Sequence, residues 1–326
     1  GLVPNLPNIE YCFDWIKQQD STRPVHYPQD HPEDVKDQFT DFSLSGYCKL
    51  ERVIEISESN TMGRPVIATE YGHAMGNGPG GMKEYWEVFW NNDQMHGGWI
   101  WEWIDHAIKV KRDGKDFYAY GGDFGEPISD ECFCIDGIVF PDRTPQPALF
   151  EFKKIMQPII AETLDLSAGR IKVVNRHDHI SLDDFLLNWA VTTDGEQIQT
   201  GSTELANIPA KSTKEITLDY TIPVAVPGVT YRLELDFVQK TPFPWRDEPL
   251  TLAWEQFKLP VAAAPLDVIP ASEMPKLSWQ QNGDKIIVEC ADSSFVFDIA
   301  RGEMSSWEYR GQTLLKHGPV MNLWRA

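Results

Sequence analysis

The spacing of apolar residues changes character near residue 157, so no single uniform architecture suits the whole chain. Before that point, helix-period and strand-like segments alternate. Asn8 is placed to cap a helix whose Ile9, Cys12, Phe13 and Ile16 share one face. Short strands are predicted over 23–27, 40–47, 66–69 and 98–104. Helices are predicted over 49–60, around Met82, Tyr85, Trp86 and Phe89, and from Pro147 to Met156. Repeated β–α units of this kind predict a parallel sheet covered by helices. After residue 157 the runs are short and often alternating: 171–174, 185–191, 197–200, 214–218 and 231–237. Asp194-Gly195 is a hairpin turn signal, and regularly spaced strands with turn residues between them predict a sandwich of immunoglobulin type. Residues 260–275 hold four prolines and read as a linker. Runs at 285–288, 294–298 and 304–307 then open another β region, with a turn at Gly283-Asp284.

Composition narrows the function classes. The formal net charge of −20 repels phosphate backbones, which argues against nucleic acid as a partner. No run approaches the ~18 apolar residues of a membrane span. Gly1-Leu2-Val3-Pro4-Asn5 carries neither the basic region nor the apolar core of a secretory leader. Five cysteines do not read as a disulfide framework, and Cys132 and Cys134 lack a second Cys/His pair at zinc spacing. A reducing compartment is favoured, and with it the cytoplasm.

The chemistry concentrates at Arg64-Pro65-Val66-Ile67-Ala68-Thr69-Glu70-Tyr71-Gly72-His73-Ala74-Met75-Gly76-Asn77. Val66 to Thr69 is a buried strand by composition, and Glu70 stands where it ends. A carboxylate there is costly to bury, so it needs a partner or a task. The glycines that follow let the backbone turn tightly near whatever Glu70 faces.

This wording resembles the nucleophile segment of the large β-galactosidases of glycoside hydrolase family 2. Three further segments resemble that family in the same order: Gly97-Gly98-Trp99-Ile100-Trp101-Glu102-Trp103-Ile104-Asp105; Tyr120 to Gly125 with Phe133-Cys134-Ile135-Asp136-Gly137; and Phe140 to Leu149. The resemblance implies an α/β plus all-β chain. Residues 1–156 would be the C-terminal half of a (β/α)8 TIM barrel, strands five to eight. Residues 157–260 would be an immunoglobulin-like β-sandwich, 261–275 a linker, and 276–326 the opening strands of a larger β-sandwich ending at Leu323-Trp324-Arg325-Ala326. Both ends would then be cut, and the polypeptide would be a fragment or one piece of a split enzyme.

The resemblance also implies roles. Glu70 matches the nucleophile that forms a covalent galactosyl-enzyme, with retention of configuration, on terminal β-galactosides such as lactose. Tyr47 matches a tyrosine that hydrogen-bonds the nucleophile, although Leu44-Ser45-Gly46 before it differs from the family's usual Cys-Pro-Met. His73 matches a sugar-contacting histidine, and Trp101 a wall of the sugar pocket. Phe133, through its carbonyl, and Asp136 match the sodium segment near the sugar 6-hydroxyl, with Asp136 replacing an asparagine. The acid/base and the magnesium ligands would lie upstream, since no Asn-Glu dipeptide occurs here. Glu102 is expected to point away from the Trp101 side by strand alternation, and Asp105 to lie beyond the strand. The intact enzyme would be a homo-oligomer.

Other readings remain open on the sequence. A glucuronidase of the same family would need basic residues for its substrate carboxylate, and none stand in these motifs. A carbohydrate-binding module would use the tryptophans without turnover. An inert fragment would keep the motifs and lack activity.

Overall fold

The computed structural model describes residues 7–27, 39–58 and 63–322. The two chain ends and positions 59 and 60 of a predicted helix lie outside them. The chain divides into two compact units. One runs through Pro223 and resumes over Thr230–Pro260; the other is Val224–Val229 and the chain from Val261 onward.

The first unit begins with helix α1 (Pro7–Gln19). Its start at Pro7 places Asn8 inside the first turn rather than at the cap, where a proline is well tolerated. The strand predicted over 23–27 does not form. Pro24 has no N–H to donate, and the Val25 amide is taken by the Asp41 carboxylate at 2.6 Å instead of by a neighbouring strand. Strand β1 (Ser43–Gly46), helix α2 (Leu50–Glu58), strand β2 (Val66–Tyr71), helix α3 (Met82–Asn91) and strand β3 (Met95–Ile100) follow. The strands form a parallel sheet in the order β1-β2-β3, with Gly46 opposite Thr69 and Ala68 opposite Gly98. Residue 98 has to be glycine, because a Cβ there would sit 2.6 Å from the Ala68 carbonyl oxygen. β3 starts and stops earlier than the predicted 98–104.

A hairpin of β4 (Ile108–Arg112) and β5 (Lys115–Ala119) leads to a single 3-10 turn over Glu131–Cys134 and then helix α4 (Pro147–Ile155). Val53 and Ile56 of α2, Val66, Ala68 and Tyr71 of β2, Met82 and Phe89 of α3, Phe152 of α4, and Ile138 and Val139 of the segment before α4 make one buried core. This is the helix-on-sheet burial that the alternating pattern requires.

The same unit continues with β6 (Ile159–Asp165), β7 (Arg170–Asn175), β8 (Phe185–Thr193), β9 (Glu196–Glu204), β10 (Thr213–Thr217), β11 (Tyr231–Gln239) and β12 (Leu250–Lys258). They form two sheets, β10-β7-β6 and β12-β11-β8-β9. Period-two alternation buries Phe185, Leu187, Trp189 and Val191 of β8 and Leu233, Leu235 and Phe237 of β11 on one face. Asp194 and Gly195, both at positive φ (49° and 87°), make the β8–β9 turn. This β-sandwich leans on α4 through Lys154 and Glu255, 2.9 Å apart, and through Gln157, whose Nε2 donates to Glu255 at 2.6 Å.

The second unit is an antiparallel meander of β13 (Leu277–Asn282), β14 (Lys285–Cys290), β15 (Ser293–Asp298), β16 (Glu303–Tyr309) and β17 (Gln312–Leu315), hydrogen-bonded in sequence order. No helix among the described residues is long and apolar enough to cross a membrane.

Candidate active site

Glu70 is the penultimate residue of β2, half-buried within a strand whose other residues are buried. Its φ is 50°, and that of Tyr47, just past the end of β1, is 46°. Left-handed backbone at two non-glycine residues costs of order 1 kcal/mol or more each, and such strain clusters where side chains are aimed for a task. The parallel register explains the meeting of the two residues. The Tyr47 amide donates to the Thr69 carbonyl at 3.2 Å, so both chains turn at the same level of the sheet. The Tyr47 hydroxyl lies beside the Glu70 carboxyl. Burial first, then the negative charges of Glu70 and Asp136, push the phenol up to about 12. It therefore stays a hydrogen-bond donor throughout the neutral range.

His73, on the glycine-rich turn after β2, lies with its ring 6.1 Å from that of Tyr47. Its Nε2 is 3.6 Å from Asp136 Oδ2. The Trp101 indole donates to the same Oδ2 at 3.0 Å. Trp101 is held by the turn itself: its amide donates to the Tyr71 carbonyl, and its carbonyl accepts from Ala74 N, both at 2.9 Å. Asp136 is 2 % exposed, and its Oδ1 is buried with no hydrogen-bond donor. Phe133 stands apart, 65 % exposed on the 3-10 turn. Tyr47, Glu70, His73, Trp101 and Asp136 thus form one connected group at the carboxyl ends of β1, β2 and β3.

A cavity of about 290 Å³ opens beside Glu70 and Trp101, and His26, Trp99 and Glu102 also line it. The expectation for Glu102 is corrected here. Strand β3 ends at Ile100, so alternation no longer governs residues 101 and 102, and both face the cavity. The Trp101–Glu102 peptide is cis. Sequence reasoning also passed over His26 and Trp99, whose rings lie 5.0 Å apart. The legible signal for Trp99 was its place in the tryptophan-rich run Trp99-Ile100-Trp101-Glu102-Trp103. Nothing in the sequence marked His26.

Glu102 has the unusual titration here. Burial, then the adjoining Asp136 carboxyl, raise it from 4.5 to about 7; its Oε2 also lies 3.0 Å from His106 Nε2. A proton on Glu102 would let it donate toward the Asp136 carboxylate. A carboxyl whose folded value is raised contributes stability below its unfolded value, and that contribution is lost as pH climbs through the folded one. Glu102→Gln is therefore expected to stabilise the protein by roughly 2 kcal/mol at about pH 8, with the gain shrinking toward about pH 5. Urea midpoints of both proteins at the two pH values check this.

The segment that carries these residues has recognisable relatives. Residues 5–161 match the family model described as glycosyl hydrolases family 2, TIM barrel domain, and residues 171–260 match the one described as beta-galactosidase, domain 4. Residues 5–161 thus belong to the barrel domain of glycosyl hydrolase family 2. Among curated relatives, a beta-galactosidase of Photobacterium profundum is 35 % identical over 334 residues, covering 96 % of this chain and 32 % of its own length. One of Psychromonas ingrahamii is 32 % identical, with 96 % and 32 % covered. One of Priestia megaterium is 33 % identical, with 98 % and 31 % covered. The chain thus spans about a third of the length of these relatives. A solved Parabacteroides merdae beta-glucuronidase aligns at 13 % identity and a TM-score of 0.31, covering 91 % of this chain and 37 % of that one, a likeness too weak to bear on fold or substrate.

Membership of family 2 raises the question of cations. Among the described residues no group of three or more His, Cys, Asp or Glu side chains is arranged to hold a metal ion. Asp136 Oδ1 is one unsatisfied oxygen, and the Phe133 carbonyl would be a second. A hard cation takes about six oxygens, so these residues do not make a complete site, and no step of the chemistry is routed through a metal.

Proposed function

We propose that this chain carries the nucleophile half of a retaining β-galactosidase, with residues 1–156 as strands five to eight of a (β/α)8 barrel. In the same reading residues 157–260 are an immunoglobulin-like sandwich, 261–275 a linker, and 276–326 the start of a larger β-sandwich. The observation that carries the proposal is the Tyr47–Glu70 pair, both at left-handed φ and side by side at the carboxyl ends of parallel strands, where barrel enzymes keep their reacting groups.

Glu70 attacks the anomeric carbon as the aglycone leaves, forming a galactosyl ester with inverted configuration. Water then attacks that carbon, the ester bond breaks, and the second inversion restores the β configuration. Tyr47 donates to the carboxylate and stabilises it as it departs in the second step. His73 and Trp101 contact the sugar, the histidine by hydrogen bonding and the indole by offering its face to the pyranose ring. Asp136 orients both. The acid/base is supplied from outside this chain, and a sodium ion in the intact enzyme would be held by the Phe133 carbonyl and Asp136 only together with oxygen ligands from elsewhere. The intact enzyme is a homo-oligomer.

Tyr47→Phe is expected to slow hydrolysis of the galactosyl ester about 100-fold while leaving its formation from an activated aryl galactoside less affected. A burst of phenolate followed by a slower steady rate, seen by stopped flow in the active assembly, checks this. The overall reading is tested by ¹H NMR of an aryl β-galactoside digest: β-galactose appearing before the α anomer supports retention, and α-galactose first would refute it.

One observation favours a second reading. Glu102 shares the cavity with Glu70 and holds its proton into the neutral range, as a general acid does. If Glu102 were the acid, Glu102→Gln would spare substrates with very good leaving groups and cripple those with poor ones. Equal effects on both would exclude that role.

A further inference from the structure

We infer that Asp105 and Gln146 are positioning residues of the Glu70 pocket, clamping the peptide after Asp136 so that the Asp136 carboxylate meets Trp101 and His73. The inference rests on the reading of Glu70 as the nucleophile for its kinetic consequence, but its geometry stands by itself. Asp105 is 5 % exposed. Its Oδ1 accepts from Gly137 N at 2.8 Å, and its Oδ2 accepts from Gln146 Nε2 at 3.1 Å. The same Gln146 nitrogen donates to the Gly137 carbonyl at 2.9 Å. Both polar groups of Gly137 are therefore held by two side chains that also hold each other.

Residue 137 is pressed against the chain it is clamped to. A Cβ there would lie 2.2 Å from Asp105 N and 2.3 Å from the Ile104 carbonyl carbon. Backbone bonds fix the register on either side: Glu102 N to Asp136 O at 2.9 Å, Ile138 N to Glu102 O at 3.0 Å, and Asp105 N to Val139 O at 3.0 Å. A buried carboxylate is costly unless its hydrogen bonds are specific, and here they are spent on the residue next to Asp136. Asp136 in turn is the shared acceptor of Trp101 and the near neighbour of His73.

Asparagine cannot replace Asp105 without loss. With its oxygen on Gly137 N, its amide nitrogen would face the Gln146 nitrogen, donor against donor. Turning the Gln146 amide would set its oxygen against the Gly137 carbonyl, acceptor against acceptor. Asp105→Asn therefore breaks one clamp bond whichever way the amides turn.

The test follows the Trp101 indole N–H in the ¹⁵N-labelled chain, assigned by its disappearance in Trp101→Phe, together with kcat/KM for an aryl β-galactoside in the active assembly. Asp105→Asn and Gln146→Met should each displace or broaden the Trp101 signal and lower kcat/KM roughly 10- to 100-fold. The double variant should be little worse than the worse single, since both remove one clamp. Gln146→Met serves if Asp105→Asn does not fold. A merely structural role would lower stability and leave the Trp101 signal and the kcat/KM of the folded protein unchanged, and that result would overturn the proposal. Wild-type protein without galactosidase activity, but with the Trp101 signal still displaced in the variants, would count against the galactosidase reading and for the clamp.

Discussion

Glu70→Gln should abolish turnover of an aryl β-galactoside, lowering kcat by at least about 10⁴-fold in the active assembly, the scale on which loss of a covalent nucleophile is felt. The amide keeps the size of the side chain and can still accept from the Tyr47 hydroxyl, so the pocket should survive. What it loses is the nucleophile. The variant should therefore fold normally, with an unchanged urea midpoint within about 1 kcal/mol, and should still bind galactose. Glu70→Gly offers a sharper form of the same expectation. With the carboxylate gone, azide can enter and attack the anomeric carbon directly, and the product should be the α-galactosyl azide. Turnover of Glu70→Gln within tenfold of wild type would remove Glu70 from the nucleophile role.

The largest effect on stability is expected in the β-sandwich. Phe237 is fully buried in β11, between Leu187 of β8 and Ala253 of β12. Phe237→Ala deletes a ring from a site walled by two strands whose own hydrogen bonds resist collapse. Such deletions cost about 3–5 kcal/mol, the transfer term plus the cavity left behind. Urea unfolding followed by tryptophan fluorescence should show a midpoint shift of that size, with Trp189 a near reporter on the buried face of β8. A loss below about 1 kcal/mol would mean that the ring is not packed as described. Glu70 and Phe237 thus separate two quantities: one substitution removes chemistry and spares the fold, the other does the reverse.

The sequence was most legible where one period ran undisturbed. β11 alternates apolar and polar residues from Tyr231 to Phe237, β8 is apolar along most of its length with Phe185, Leu187, Trp189 and Val191 at every second position, and Asp194-Gly195 could only be a turn. α3 was equally plain from Met82, Tyr85, Trp86 and Phe89. The 23–27 segment misled because Val25, His26 and Tyr27 have strand propensity while Pro24 and the Asp41 carboxylate dispose of the backbone groups that pairing would need. The hairpin β4–β5 went unread although Asp113-Gly114 marks its turn, since lysines and an arginine interrupt both arms. β6, β12 and β13 were missed for a related reason: polar residues fill much of each, so alternation alone did not announce them.

The site divides in the same way. Glu70 and its glycine-rich turn were visible because a carboxylate at the end of an apolar strand is an anomaly. The connection of Trp101, His73 and Asp136 is a property of three segments brought together, and only their resemblance to a known family suggested it in advance. Glu102 was assigned the wrong side because strand alternation was carried two residues past the last strand residue. Asp105 reaches Gly137 and Gln146 across 32 and 41 positions, and His26 meets Trp99 far along the chain; no local pattern encodes such contacts.

The measurement that bears most directly on Glu70 is the intact mass of the protein after incubation with a 2-deoxy-2-fluoro-β-galactoside bearing a dinitrophenolate leaving group. The fluorine slows both steps, and the leaving group needs little acid assistance, so the reagent asks only for a nucleophile and a pocket. One added fluorogalactosyl group, located on Glu70 by peptide mapping, is the expected result, either in the chain alone or once the segment carrying the acid/base is supplied. A label on Glu102 or another carboxylate, or no label even with that segment present, would contradict it.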